Sequence, residues 1–132
     1  MVKQTSLLIL DDNTSFAESL SDVLARAGFA CRWASQAAEA MKMAGSAAPD
    51  VLLVDVNLGA MSGIEVAQQI CRKSRTTGVV FMTGSIDLDQ SRIPDDLRSR
   101  SVVLHKPVDK ETLVNAIASV SVKASESASS AD

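Results

Sequence analysis

Two carboxylates stand side by side at Asp11 and Asp12, directly after the apolar run SLLIL. Unit charges about 4 Å apart near a protein surface repel by roughly 4 kcal/mol, so the pair needs a physical reason. A third carboxylate, Asp55, closes a second apolar run, VLLVD. Thr83 closes a third, VVFMT, with Gly84 behind it, and Lys106 follows a fourth, VVLH, before Pro107. An aspartate after a strand ordinarily serves a turn or a helix cap. Three acids, a hydroxyl and an ammonium, all at the ends of apolar runs, are not explained that way. A hard divalent cation relieves the repulsion, and Mg²⁺ prefers oxygen ligands while keeping several waters. Asp12 and Asp55 can ligate it directly, with Asp11 acting through water or holding the site in place. The ammonium then calls for an additional anion. A phosphoryl group on Asp55 would meet Mg²⁺ on one side, Lys106 on another and the Thr83 hydroxyl on a third, with Gly84 leaving room to enter.

These residues can act together only if the fold brings the ends of the runs to one place. Short runs rich in branched residues read as buried strands at Leu7 to Leu10, Val51 to Val54, Val79 to Met82 and Val102 to Leu104. A fifth, Phe29 to Trp33, alternates apolar with other residues, as a half-exposed edge strand does. Helical stripes lie between them. Phe16, Leu20, Val23, Leu24 and Ala27 form the first, opened by Ser15 with Glu18 three residues on and stopped by Gly28. Ser35 caps a second through Ala44; Ser62 with Glu65 opens a third; Asp109 caps the last, which carries Leu113, Val114, Ile117 and Val120. Residues 86 to 100 hold Pro94 where a fourth helix should run, so that helix is expected to be broken, shifted or begun afresh there.

The pattern is a (βα)5 chain, an α/β doubly wound, flavodoxin-like fold with helices on both faces of a five-stranded parallel sheet. Right-handed crossovers favour the strand order 2-1-3-4-5. In that order strands 1 and 3 are neighbours, and a ligand crevice opens at their carboxyl ends. Asp11, Asp12 and Asp55 then face one another there.

Composition fits one domain. The chain has 132 residues, 46% hydrophobic and 22% charged, long enough to bury a core. A net charge of −3 argues against direct nucleic-acid binding. No apolar run is long enough to cross a bilayer, and MVKQTSLLIL lacks a secretory cleavage pattern. Cys31 and Cys71 have no metal spacing and read as small hydrophobes in a reducing, cytoplasmic setting. The methionines Met41, Met43, Met61 and Met82 read as core filler. The single histidine, His105, reads as a solvated or interface residue, and Arg92, Arg98 and Arg100 as a solvated basic face. The Ser- and Ala-rich segment from Ser121 to Asp132 is expected to be a disordered tail, leaving residues 1–120 as the domain.

Taken together, LILDDN, LLVDVNLGAMSG, FMTG and HKP resemble the response-regulator receiver domain of two-component signalling, over Leu7 to Val120. The resemblance implies a module that takes a phosphoryl group from a histidine kinase or histidine phosphotransfer protein onto Asp55. It implies that Asp11 and Asp12 are the acidic metal-site pair, that the backbone carbonyl of Asn57 completes the Mg²⁺ shell, and that Thr83 and Lys106 contact the phosphoryl group. It also implies a cis Lys106–Pro107 bond. With twelve residues after Val120, the chain reads as a single-domain regulator, or equally as a receiver from a hybrid kinase or larger regulator.

Three departures stand out. The loop after the acceptor reads Leu58-Gly59-Ala60-Met61, without the family's usual proline. Val103 occupies the place of the aromatic that reports phosphorylation by swinging inward. The segment before the last strand lacks Gly-Ala and contains Pro94. The output is therefore expected to shift residues 84 to 100 instead, with a partner face along residues 84–105 that includes Arg98, Arg100 and His105. A haloacid-dehalogenase-type phosphohydrolase needs an acid two residues after the nucleophile, where this chain has Asn57. A flavodoxin-like cofactor module would meet repulsion between its phosphate and Asp11-Asp12.

Overall fold

A computed structural model describes residues 4–59, 61–85 and 90–130. The apolar runs form five strands: β1 (Ser6–Leu10), β2 (Ala30–Ala34), β3 (Val51–Asp55), β4 (Gly78–Thr83) and β5 (Ser101–His105). They pair in parallel in the order β2-β1-β3-β4-β5, as the sequence predicts. All residues of β3 and β4 are buried, because helices cover both faces of the central strands. The edge strand β2 starts at Ala30, one residue later than expected, and is mostly half-exposed.

Strand alternation divides the core in two. Leu8, Leu10, Leu52, Val54, Val79 and Phe81 face one side of the sheet. There they meet α2 (Ala37–Ser46), α3 (Gly63–Lys73) and α4 (Asp95–Arg98) through residues such as Ala40, Ile70 and Leu97. Leu7, Ile9, Val51, Leu53, Val80 and Met82 face the other. These meet α1 (Thr14–Arg26) and α5 (Lys110–Ser130) through Ala17, Leu24, Leu113, Ile117 and Val120. Gly78 sits under α5, and a Cβ there would lie 2.6 Å from the Val120 carbonyl oxygen. Glycine lets the helix close over β4.

The helix starts differ from expectation in two places. Asn13, not Ser15, caps α1: its side chain accepts the Phe16 N–H at 3.1 Å, which leaves Ser15 inside the first turn. Turning out of β1 immediately after the acidic pair brings Asn13 into the capping geometry first. Ser35 lies outside α2, whose N-cap is Gln36 without a side-chain bond. The other end of α2 is held by Arg32 on β2, which donates to the Met43 and Ala47 carbonyls at 3.1 and 2.7 Å. Gly28 takes φ of 104° just past α1, where a side chain would be strained. Ser62 caps α3, and Asp109 accepts the Thr112 N–H at the start of α5.

Around Pro94 the chain makes one turn of 3-10 helix, Gln90–Arg92, and then begins α4 afresh with Pro94 at its N-cap. Proline fits there because its missing N–H has no helical partner to lose. The last helix does not stop at Val120. The segment expected to be disordered from Ser121 is helical as far as Ser130, with Ala124 buried. Its low apolar content points to disorder, yet its alanines carry the strongest helix propensity of any residue. Among the described residues, no helix is long and apolar enough to cross a membrane.

Candidate functional site

Parallel strands put all their carboxyl ends on one edge of the sheet. Asp11 follows β1, Asp55 ends β3, Thr83 ends β4, and Lys106 follows β5. Leu10 pairs with Val54, so the acids that follow are neighbours. One step of β4–β5 pairing continues past the strand, with the Lys106 N–H donating to the Thr83 carbonyl at 2.8 Å. At the β1/β3 switch Asp11 and Asp55 therefore stand side by side, with Thr83 and Lys106 at the same ends of the next two strands.

Asp11 and Asp55 are held in the same way. Each is buried, 1% and 9% exposed. Each accepts the N–H two residues on: Asn13 to Asp11 Oδ1 at 3.0 Å, and Asn57 to Asp55 Oδ1 at 2.9 Å. The Oδ2 atom of each then accepts from the Lys106 ammonium, at 3.1 Å for Asp11 and 3.0 Å for Asp55. Burial alone would lower the lysine's pKa, but the two carboxylates outweigh it and hold the ammonium above its ordinary range. Asp12 is exposed beside them.

One oxygen from each of Asp11, Asp12 and Asp55 can lie within 4.8 Å of the others. An all-oxygen, all-carboxylate donor set of this kind fits a hard cation such as Mg²⁺. Asn57 also bridges to Ser62, and its side chain accepts the Gly59 N–H at 3.2 Å, so the loop after Asp55 folds back tightly. Gly59 has φ of 77°, a conformation suited to glycine; Ala60 lies outside the described residues. Gly63 opens α3 against the end of β3, and a Cβ there would collide with the Asp55 carbonyl oxygen.

Thr83 is buried, and its hydroxyl accepts the Ser85 N–H at 3.0 Å. Among the described residues, a Cβ at Gly84 would meet nothing within 4 Å. The Lys106–Pro107 bond is cis. Val103 is half-buried against the α2–α3 side of the core, and His105 is exposed at the sheet edge. Residues 86–89, within the expected output segment, lie outside the described residues.

The expectation for Arg100 is overturned. Arg100 is 8% exposed and belongs to no solvated face; it donates to the Thr77 and Ser74 carbonyls at 2.8 and 2.6 Å. Its guanidinium fork closes the α3–β4 loop at the opposite end of the sheet from the acids. Arg98 is at the surface, paired with Asp95 at 2.9 Å and bonded to the Ile93 carbonyl. Cys71 is buried, its thiol pushed up to about 11 by desolvation, and Cys31 is half-buried. Met82 is buried, and Met41, Met43 and Met61 pack against the core.

Sequence reasoning missed Phe16 as part of the site. In the sequence it reads only as the first residue of an apolar stripe, yet its ring centroid lies 4.6 Å from the Lys106 ammonium. The available signal was an aromatic in the first helical turn after an acidic pair.

A family model described as the response regulator receiver domain matches residues 7–118. The chain is 35% identical over 81 residues to the DNA-binding transcriptional regulator NtrC of Escherichia coli (strain K12), covering 61% of this chain but only 17% of NtrC. It is 25% identical over 115 residues to protein PilH of Pseudomonas aeruginosa, covering 86% of this chain and 95% of PilH. Among solved structures, the Vibrio cholerae chemotaxis protein CheY4 superposes with a TM-score of 0.79 at 26% identity, covering 89% of this chain and 99% of that one.

Proposed function

Because the chain belongs to the response regulator receiver domain family, we propose that it is a phosphoacceptor signalling module in which Asp55 takes a phosphoryl group from the phosphohistidine of a histidine kinase or histidine phosphotransfer protein. The observation that carries this reading is the Lys106 ammonium bridging the buried carboxylates of Asp11 and Asp55. A cation already spanning the acceptor and its neighbour is placed to meet the anion that arrives.

In the step itself, an Asp55 carboxylate oxygen forms a bond to phosphorus and the phosphorus–nitrogen bond breaks. Its electron pair returns to the imidazole, and an acyl phosphate remains on Asp55. Lys106 turns from carboxylate to phosphoryl oxygen, and the Thr83 hydroxyl donates to another. Asp11, Asp12, Asp55 and the Asn57 carbonyl would hold Mg²⁺, which when bound supplies positive charge against the phosphoryl oxygens. The chain catalyses only its own phosphorylation and dephosphorylation, in the cytoplasm.

Output follows from Thr83. When its hydroxyl turns to the phosphoryl group it releases the Ser85 N–H, and the segment leading to α4 changes its population of conformations. Val103 has no ring to swing. A downstream protein reads the surface of residues 84–105 without Arg100, whose guanidinium is committed to the α3–β4 loop.

Incubation with acetyl phosphate and Mg²⁺, followed by mass spectrometry, tests the chemistry. A phosphoryl label on Asp55, absent from Asp55→Asn and lost in excess EDTA, is expected. Label persisting in either case overturns it.

A further inference from the structure

The contacts around Lys106 close into a ring. Asp11 accepts the Asn13 N–H, Asn13 accepts the Phe16 N–H as the cap of α1, the Phe16 ring faces the Lys106 ammonium, and that ammonium returns to Asp11. The start of α1 therefore fixes both a carboxylate and the ring that meets the cation over it. We propose that Phe16 is a positioning residue for Lys106: its ring holds the ammonium at the mouth of the site, where it passes from Asp55 to an incoming phosphoryl group. The proposal rests on the phosphoryl-acceptor reading.

A lysine stem has many rotamers and its ammonium is strongly hydrated, so an unrestrained side chain loses much freedom on meeting an anion. The face of an aromatic ring attracts a cation through its quadrupole and offers no acceptor that must be broken when the partner changes. Two carboxylates alone would hold Lys106 just as well at rest, but they are the partners it must partly leave. Phe16 is the contact that stays. Its position suits this role, since Ala17 and Leu24 are the fully buried residues of α1 while Phe16 is only partly buried.

Phe16→Leu keeps an apolar side chain and removes the ring; Phe16→Tyr keeps the ring. Two readouts are needed. Proton NMR should show the Lys106 ε-methylene signals displaced upfield by the ring in wild type and in Phe16→Tyr, and returned to ordinary positions in Phe16→Leu. The rate of Asp55 labelling by acetyl phosphate should fall roughly two- to fivefold in Phe16→Leu, the size of a partly exposed cation–π contact, and stay near wild type in Phe16→Tyr. In a Lys106→Ala background, Phe16→Leu should cause no further loss. Unshifted Lys106 signals in wild type, equal losses in Leu and Tyr variants, or the same loss without the lysine would each overturn the role of Phe16. A wild type that takes no label at Asp55 overturns the phosphoryl-acceptor reading itself, and with it any role for Phe16 in uptake, even if the ring shift is present.

Discussion

The Lys106 backbone N–H donates to the Thr83 carbonyl at 2.8 Å. The cation and the hydroxyl of the site are thus tied through one rung of the β4–β5 ladder. Both side chains project from backbone already paired, and their separation is set by strand spacing. A shift of Thr83 is felt directly at the base of Lys106.

Asp11 and Asp12 are adjacent, yet their substitutions should separate. Asp11 is buried and accepts two hydrogen bonds, so Asp11→Ala strands the Asn13 N–H and should cost about 1–3 kcal/mol. Asp12 is exposed, so Asp12→Ala should leave stability within about 0.5 kcal/mol of wild type or raise it by relieving repulsion. Both variants should lose Mg²⁺ binding. Denaturant melts in EDTA check the first claim, and an equal destabilisation by the two variants counts against it.

Arg100→Met should destabilise by about 2 kcal/mol, because the Ser74 and Thr77 carbonyls lose a charged donor. Labelling of Asp55 should keep its wild-type rate, as Arg100 lies at the far end of the sheet. A stability unchanged by the substitution would mean the fork contributes nothing.

Beryllofluoride, a phosphoryl mimic, should change hydrogen-exchange protection between Gly84 and His105. The expected route runs from the Thr83 hydroxyl through the Ser85 N–H, which it now accepts at 3.0 Å. Changes confined to the loops around Asp12 and Asp55 would place the output elsewhere.

Asp109 gives a pH dependence with a definite sign. Its carboxylate accepts the Thr112 N–H at 2.7 Å, and this bond holds its pKa below the ordinary 3.8. A depressed acid contributes stability that is present above the unfolded pKa and lost as pH falls through the folded one. Asparagine caps a helix about as well without titrating. The stability of wild type relative to Asp109→Asn should be constant above about pH 5 and decline below 3.8. A difference that stays flat to pH 2 would exclude this contribution.

The sequence by itself determined the strands, their order and the acids, hydroxyl and lysine at their ends. Burial on both faces writes a strand as an unbroken apolar run, as in VLLV before Asp55, and parallel connections deliver every such end to the same edge. That information is local in the chain. What a long side chain touches is not. Arg100 reads as one of several surface arginines until the α3–β4 loop turns its carbonyls toward it. Phe16 reads as core until α1, starting from Asn13, lays its ring beside an ammonium 90 residues away in the chain. The length of α5 was hidden too, because alanines and serines have the composition of a tail, and only the helix they continue gives Ala124 something to bury against. Partners of this kind depend on how elements cross in three dimensions, which no spacing in the sequence encodes.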